Sequence, residues 1–157
     1  IRNDIIESST INYNIDNILK VYKKILVLNK LITKETGKNI LFSYKRASNI
    51  IINELKNSEI ELTGLPDTGL FRHDSEKKLY EKIHNMRKDF TSISREDDHE
   101  DLLAILASAK IEVNEFFDNV IVNDKDEIIK KNRLELLQML CKTFDYYLNF
   151  SKIESLE

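Results

Sequence analysis

The chain has 157 residues, with one Pro, three Gly and a formal charge of −3 from 24 basic and 27 acidic side chains. That length suits one domain with a real core, and a composition led by Leu, Ile, Lys, Glu and Asn favours long helices over a sandwich or barrel. A single cysteine, Cys141, excludes a disulfide framework and suits a reducing, cytoplasmic setting. No apolar run approaches the ~18 residues of a membrane span, and no signal-peptide layout opens the chain. The first residue is Ile1 rather than Met, so the sequence reads as a piece of a longer protein.

Residues 1–14 read as the tail of a preceding segment or a linker helix, and residues 15–157 as a bundle of about six helices. The first spans 15–34, with Ile15, Ile18, Leu19, Tyr22, Ile25 and Leu26 at amphipathic spacing. Gly37 is expected to break it, and Lys38–Asn57 forms the next, turning Ile40, Tyr44, Ala47, Ile51 and Leu55 inward. "TGLPDTGLF" then makes a loop punctuated by Gly64, Pro66 and Gly69. Asp74 is placed to cap a helix running to about Phe90, with Leu79, Ile83, Met86 and Phe90 inside. A fourth helix covers about His99–Lys110, and Asn114 starts a short fifth. Asn123, Asp124 and Asp126 open the last, which runs to about Leu148. No period-2 run is long enough for a strand, so the expected fold is all-α.

Charge is unevenly spread. Residues 15–56 hold nine Lys and Arg against three acids, whereas residues 61–128 hold nine against seventeen. One end of the molecule is therefore suited to polyanions while the rest maintains solubility. Catalytic patterns are missing. His73, His84 and His99 lie too far apart for a metal motif. "GLPDTG" has phosphate-loop spacing, but Leu70-Phe71 follows where Lys-Ser/Thr is required, so it reads as a turn. The acids of "REDDHED" suit a solvated helix start better than an acid/base pair.

Two constellations remain. On the second helix Lys38, Lys45, Asn49 and Lys56 project within about 20° of one another, opposite the Tyr44/Ala47/Ile51 face. Phe42 shares that outer stripe, and Arg46 and Asn53 flank it. Cations around an exposed ring suit a single strand of nucleic acid, tracking phosphates while the ring stacks on a base. A plain solvated lysine face, with Phe42 buried against a neighbour, is the alternative. On the last helix Arg133 falls within the apolar arc of Ile129, Leu136, Leu137, Leu140, Cys141, Phe144, Tyr147 and Leu148. Either it forms a buried pair with Asp118, Asp124 or Asp126, or the arc opens at its N-terminal end and presents Lys130, Asn132 and Arg133 to an anion.

"YKRASNI" at 44–50, "VNEFFDNVIVNDKDEIIKKNRLELL" at 113–137 and "NFSKIE" at 149–154 resemble, in order and spacing, the C-terminal domain of bacterial glycyl-tRNA synthetase β subunits, a member of the DALR group of helical anticodon-binding domains. "IRNDIIESS" is similar to the "RxDVIxAV" segment before that domain, and "LPDTGLFRHDSEKKL" to its central loop. The resemblance implies a bundle that holds the anticodon end of tRNA-Gly, in which two anticodon bases are C. It implies ATP- and Mg2+-dependent glycine activation elsewhere, on the α subunit, with no catalytic residue in this region. The family's "YKRAxNI" falls on Tyr44, Lys45, Arg46, Ala47, Asn49 and Ile50, and its "EALRANRLALL" on Glu127 to Leu137. Ile129-Lys130 replaces the usual Leu-Arg, which keeps the charge but loses the planar fork. Val113-Asn114 replaces Val-Asp.

Cytosine presents one donor and two acceptors on its pairing edge. Arg46, Asn49, Asn132 and Arg133 could donate to it, the amide oxygens of Asn49 and Asn132 could accept, and Lys38 and Lys45 suit phosphates. The homologous domain of arginyl-tRNA synthetases is the nearest rival, and a helical protein-interaction module is a rival from another class.

Overall fold

The computed structural model describes residues 2–10, 18–56, 58–62, 64–93 and 99–153, apart from the side chain of Leu31. Seven α-helices occupy those residues: α1 (Asn3–Thr10), α2 (Ile18–Ile32), α3 (Glu35–Lys56), α4 (Asp74–Ser92), α5 (His99–Ala107), α6 (Lys110–Asn119) and α7 (Glu127–Asp145). Two 3-10 turns, Thr68–Leu70 and Phe150–Lys152, complete the set. No strand occurs among the described residues, and no helix there is long and apolar enough to cross a membrane.

α7 forms the axis. Its apolar arc is continuous, and Leu134, Leu136, Leu137, Leu140 and Phe144 are each 0 % exposed. It packs on α3 and α4; α4 in turn packs on α5 and α6, and α3 on α2, α5 and α6. Tyr44 of α3 meets Phe144 at 6.1 Å and Phe150 at 5.5 Å between ring centroids, which ties the C-terminal turn back to the axis. α1 packs on α2 and on that turn, burying Ile5, and Ser8 Oγ donates to the Asn149 carbonyl.

Three expected boundaries shift and a fourth narrows to one of its candidates, each for a local reason. Gly37 does not break a helix. The chain turns at Thr33-Lys34, and Gly37 lies buried in the first turn of α3 with ordinary negative φ. A glycine costs a helix start little. His73, not Asp74, caps α4: its Nδ1 accepts from the Ser75 N–H at 3.2 Å, while Glu76 Oε2 accepts from the His73 N–H at 2.8 Å. Asn114 sits inside α6, which begins at Lys110 after the buried Ala109 and has no side-chain cap. Asp126 alone of the three acidic or amide candidates caps α7, accepting from the Ile128 and Ile129 N–H groups. Arg95 to Asp98 of the acidic stretch lie outside the described residues, as do Ile15, at the expected start of α2, and Asn57, at the expected end of α3.

Candidate nucleic-acid interface

α3 gains its outer face from its own periodicity. With Ile40, Tyr44 and Ala47 turned inward and buried, Lys38, Phe42, Lys45 and Asn49 are left on the solvent side. Together with Asn39, Leu41 and Arg46 they line an open groove of about 540 Å³. Phe42 is 53 % exposed, so its ring is not consumed by a neighbouring helix. Among the described residues, no carboxylate lines the groove.

Arg46 is held in an unusual way. Its guanidinium carbon lies 4.3 Å from the centroid of Phe117, on α6, and 5.9 Å from that of Phe42. Two rings therefore flank the cation within cation–π range. No acceptor among the described residues takes a hydrogen bond from it. Among the described residues this half-buried arginine has its donors unspent, which makes it a candidate to meet a phosphate or base edge.

The α7 candidates are used differently. Lys130 pairs with Glu54 of α3 at 2.7 Å. Asn132 is buried, its Oδ1 accepting from the Asp67 N–H at 2.6 Å and its Nδ2 donating to the Asp67 carbonyl at 3.0 Å. Beside it, Glu135 Oε1 accepts from the Gly64 N–H at 3.3 Å, so α7 grips the loop at two points.

Arg133 is 6 % exposed, and its Nε donates to Glu76 Oε1 at 3.0 Å. Its Nη1 donates to the Ile121 carbonyl at 2.8 Å and to Asp124 Oδ2 at 2.7 Å. The Asp126 N–H donated to Asp124, with Arg133 adding to it, holds the Asp124 carboxyl below the usual carboxylate range. The arc does not open at its N-terminal end. Of the acids expected to meet Arg133, Asp124 does so, Asp126 is occupied as a cap and in a pair with Arg72 at 2.8 Å, and Asp118 is exposed.

Three partners were not foreseen in the sequence. Glu76, 0 % exposed, serves the α4 cap and Arg133 at once; its signal was the His73-x-x-Glu76 spacing, obscured because histidine is an uncommon cap. Glu54 and Phe117 reach their partners only through tertiary contact. No cluster of metal ligands exists among the described residues. His73 is a cap, His84 sits edge-on to Tyr80, and His99 is buried with its Nδ1 2.9 Å from the Tyr147 hydroxyl.

This bundle, with a cationic outer helix and a polar-studded central one, matches a known pattern. The chain belongs to the DALR anticodon binding domain family, whose model matches residues 40–157. Over 137 residues it is 36 % identical to the glycine–tRNA ligase beta subunit of Rickettsia africae, covering 87 % of this chain and 20 % of that protein. The same identity and coverage hold for the beta subunit of Rickettsia prowazekii. That of Rickettsia canadensis is 33 % identical over 146 residues, 93 % of this chain and 21 % of the relative. The chain thus spans about a fifth of the length of the curated relatives it matches.

Proposed function

We propose that this chain is the anticodon-holding part of a glycine–tRNA ligase beta subunit and grips the tRNA-Gly anticodon loop along the outer groove of α3. The observation that carries the reading is Arg46, set beside the Phe117 and Phe42 rings with its donors unspent among the described residues. In this assignment Lys38 and Lys45 track phosphates, Phe42 stacks on an unpaired base, and Arg46 with Asn49 meets a base edge. Lys130, Asn132 and Arg133 support the site from behind by fixing α7 to α3, to the loop and to α4. Residues 1–14 join this module to the rest of a beta subunit, and residues 15–157 form the module. Glycine activation with ATP and Mg2+ belongs to the complete cytoplasmic ligase with its alpha subunit, and the module contributes recognition.

The test is binding of the chain to a tRNA-Gly anticodon stem-loop, beside a loop with both anticodon C bases replaced, across a salt series. A preference on the order of tenfold or more, lost in Arg46→Ala, is the expected result. Steep salt dependence without preference would reduce the groove to a backbone clamp, and absence of binding would overturn the reading.

A further inference from the structure

On the α4/α7 side of the bundle, Arg87, Phe90 and Thr91 of α4 face Lys142, Thr143 and Tyr146 at the end of α7 across a slot of about 270 Å³. That volume is just below the ~300–1,000 Å³ of pockets that enclose a whole small molecule, and it suits one planar ring. Tyr146 is 75 % exposed, yet its ring is not loose: Phe90 backs it at 6.0 Å with an interplanar angle of 26°. One stacked pair therefore already exists, with its outer face open to solvent.

The polar lining has a single sign. Arg87 is aimed by its Nε, which donates to Thr143 Oγ1 at 2.8 Å, and by a longer contact to the Met139 carbonyl at 3.4 Å. The Thr143 hydroxyl is itself fixed by donating to that carbonyl at 2.8 Å. Among the described residues, Nη1 of Arg87 and the ammonium of Lys142 have no partner and no carboxylate lines the slot. Lys142 also complements the C-terminal dipole of α7, but that explains neither the second cation nor the exposed ring.

We propose that this slot binds one unpaired nucleotide of an RNA strand, its base on the Tyr146 ring and its phosphate on Lys142 and the free edge of Arg87. Stacking on a backed aromatic beside cations tolerates any base, so the slot adds grip rather than sequence preference. An aromatic side chain of a protein partner would use the ring but leave both cations unmatched, so the charge pattern favours the nucleotide. The choice of RNA rests on the nucleic-acid reading above, whereas the geometry of the slot stands apart from the α3 groove.

The experiment is amide NMR of the full chain titrated with cytidine monophosphate and with a single-stranded RNA hexamer, in the wild type, Tyr146→Leu and Phe42→Leu. The hexamer is expected to shift residues 87–91 and 142–146, to bind on the order of tenfold more weakly in Tyr146→Leu, and to keep those shifts in Phe42→Leu. Shifts confined to the α3 groove would overturn the slot and leave the proposed function standing. Shifts at the slot but not at α3 would support the slot and remove the anticodon groove. Monophosphate binding as tight as the hexamer would overturn an RNA contact in favour of a free-nucleotide site. No shift with either ligand on either face would end both readings.

Discussion

Arg46 on α3 and Arg133 on α7 belong to two stretches that read much alike, basic side chains set among apolar ones. The fold uses them in opposite ways. Arg133 is enclosed and spends its donors on Glu76, Asp124 and a carbonyl. Arg46 lies against two aromatic rings and, among the described residues, keeps its donors. One cation is therefore a lock and the other the proposed contact, and the difference lies in what neighbouring helices bring. α4 delivers a fully buried carboxylate to Arg133, whereas α6 delivers a phenyl ring to Arg46. A guanidinium suits both settings because it is planar, permanently charged and weakly hydrated.

The largest effect that would break this contrast is on stability. Arg133→Met leaves Glu76 as a buried carboxylate without its cation. The expected loss is about 3–5 kcal/mol by urea unfolding, with a fall in melting temperature on the order of 10 °C. RNA affinity, measured where the variant is still folded, should hardly change. A stable variant that has lost affinity would make Arg133 a contact residue instead.

A third cation lies between the two extremes. Lys24 is 3 % exposed, donates to the Tyr147 carbonyl at 2.6 Å, and stands 4.7 Å from that residue's ring centroid. Burial lowers its pKa from 10.5 to about 8. Between those values the unfolded chain holds more protons than the native one, so this contribution raises stability as pH climbs from about 8 to 10.5 and is lost as pH falls through 8. Unfolding curves at both ends of that window should show a rise in the wild type that is flatter in Lys24→Met.

On the contact side the effects are smaller and appear in binding. Arg46→Ala is expected to cost on the order of tenfold in affinity for the anticodon stem-loop, with stability changed by about 1 kcal/mol or less, since a cation–π contact is worth roughly that. Arg46→Lys, which keeps charge but not the stacking plane, should recover only part of the affinity. The smallest effect is Lys38→Gln, which should weaken binding evenly across sequences and lower the salt slope by about one. A loss of sequence preference in that variant would move Lys38 from the phosphates to a base.

Most of the scaffold was legible in the sequence because helical periodicity is a local property. The inward residues of α3, α4 and α7 follow from spacing alone, and the exposure of Phe42 follows from the same pattern as the burial of Tyr44. The face of α2 was misplaced, since Ile18, Leu19, Tyr22 and Leu26 are exposed while Ile25, Leu28 and Ile32 are buried. The other misplaced features are of two kinds. Gly37, His73 and Asn114 mislead because residue type only biases a helix end, and neighbouring contacts decide it. Glu76 for Arg133, Glu54 for Lys130 and Phe117 for Arg46 are distant in sequence, so no spacing rule links them. Whether Arg133 faced inward or toward a ligand was undecidable without the partner from α4.

The Gly64–Gly69 stretch shows glycine and aspartate at the surface over a buried Pro66, and by composition it is a place where a tag or a second domain could be spliced in. It is a poor one. Asn132 and Glu135 hold its backbone from α7, and just beyond it Glu76 accepts from the Arg72 and His73 N–H groups while also gripping Arg133. Lengthening this loop would pull on the central helix, and cleaving it would free backbone groups that the interior relies on. Tolerance to insertion follows the hydrogen bonding of the backbone rather than its apparent exposure. The Thr33-Lys34 turn between α2 and α3, exposed and without a comparable side-chain clamp from α7, is the better point of attachment.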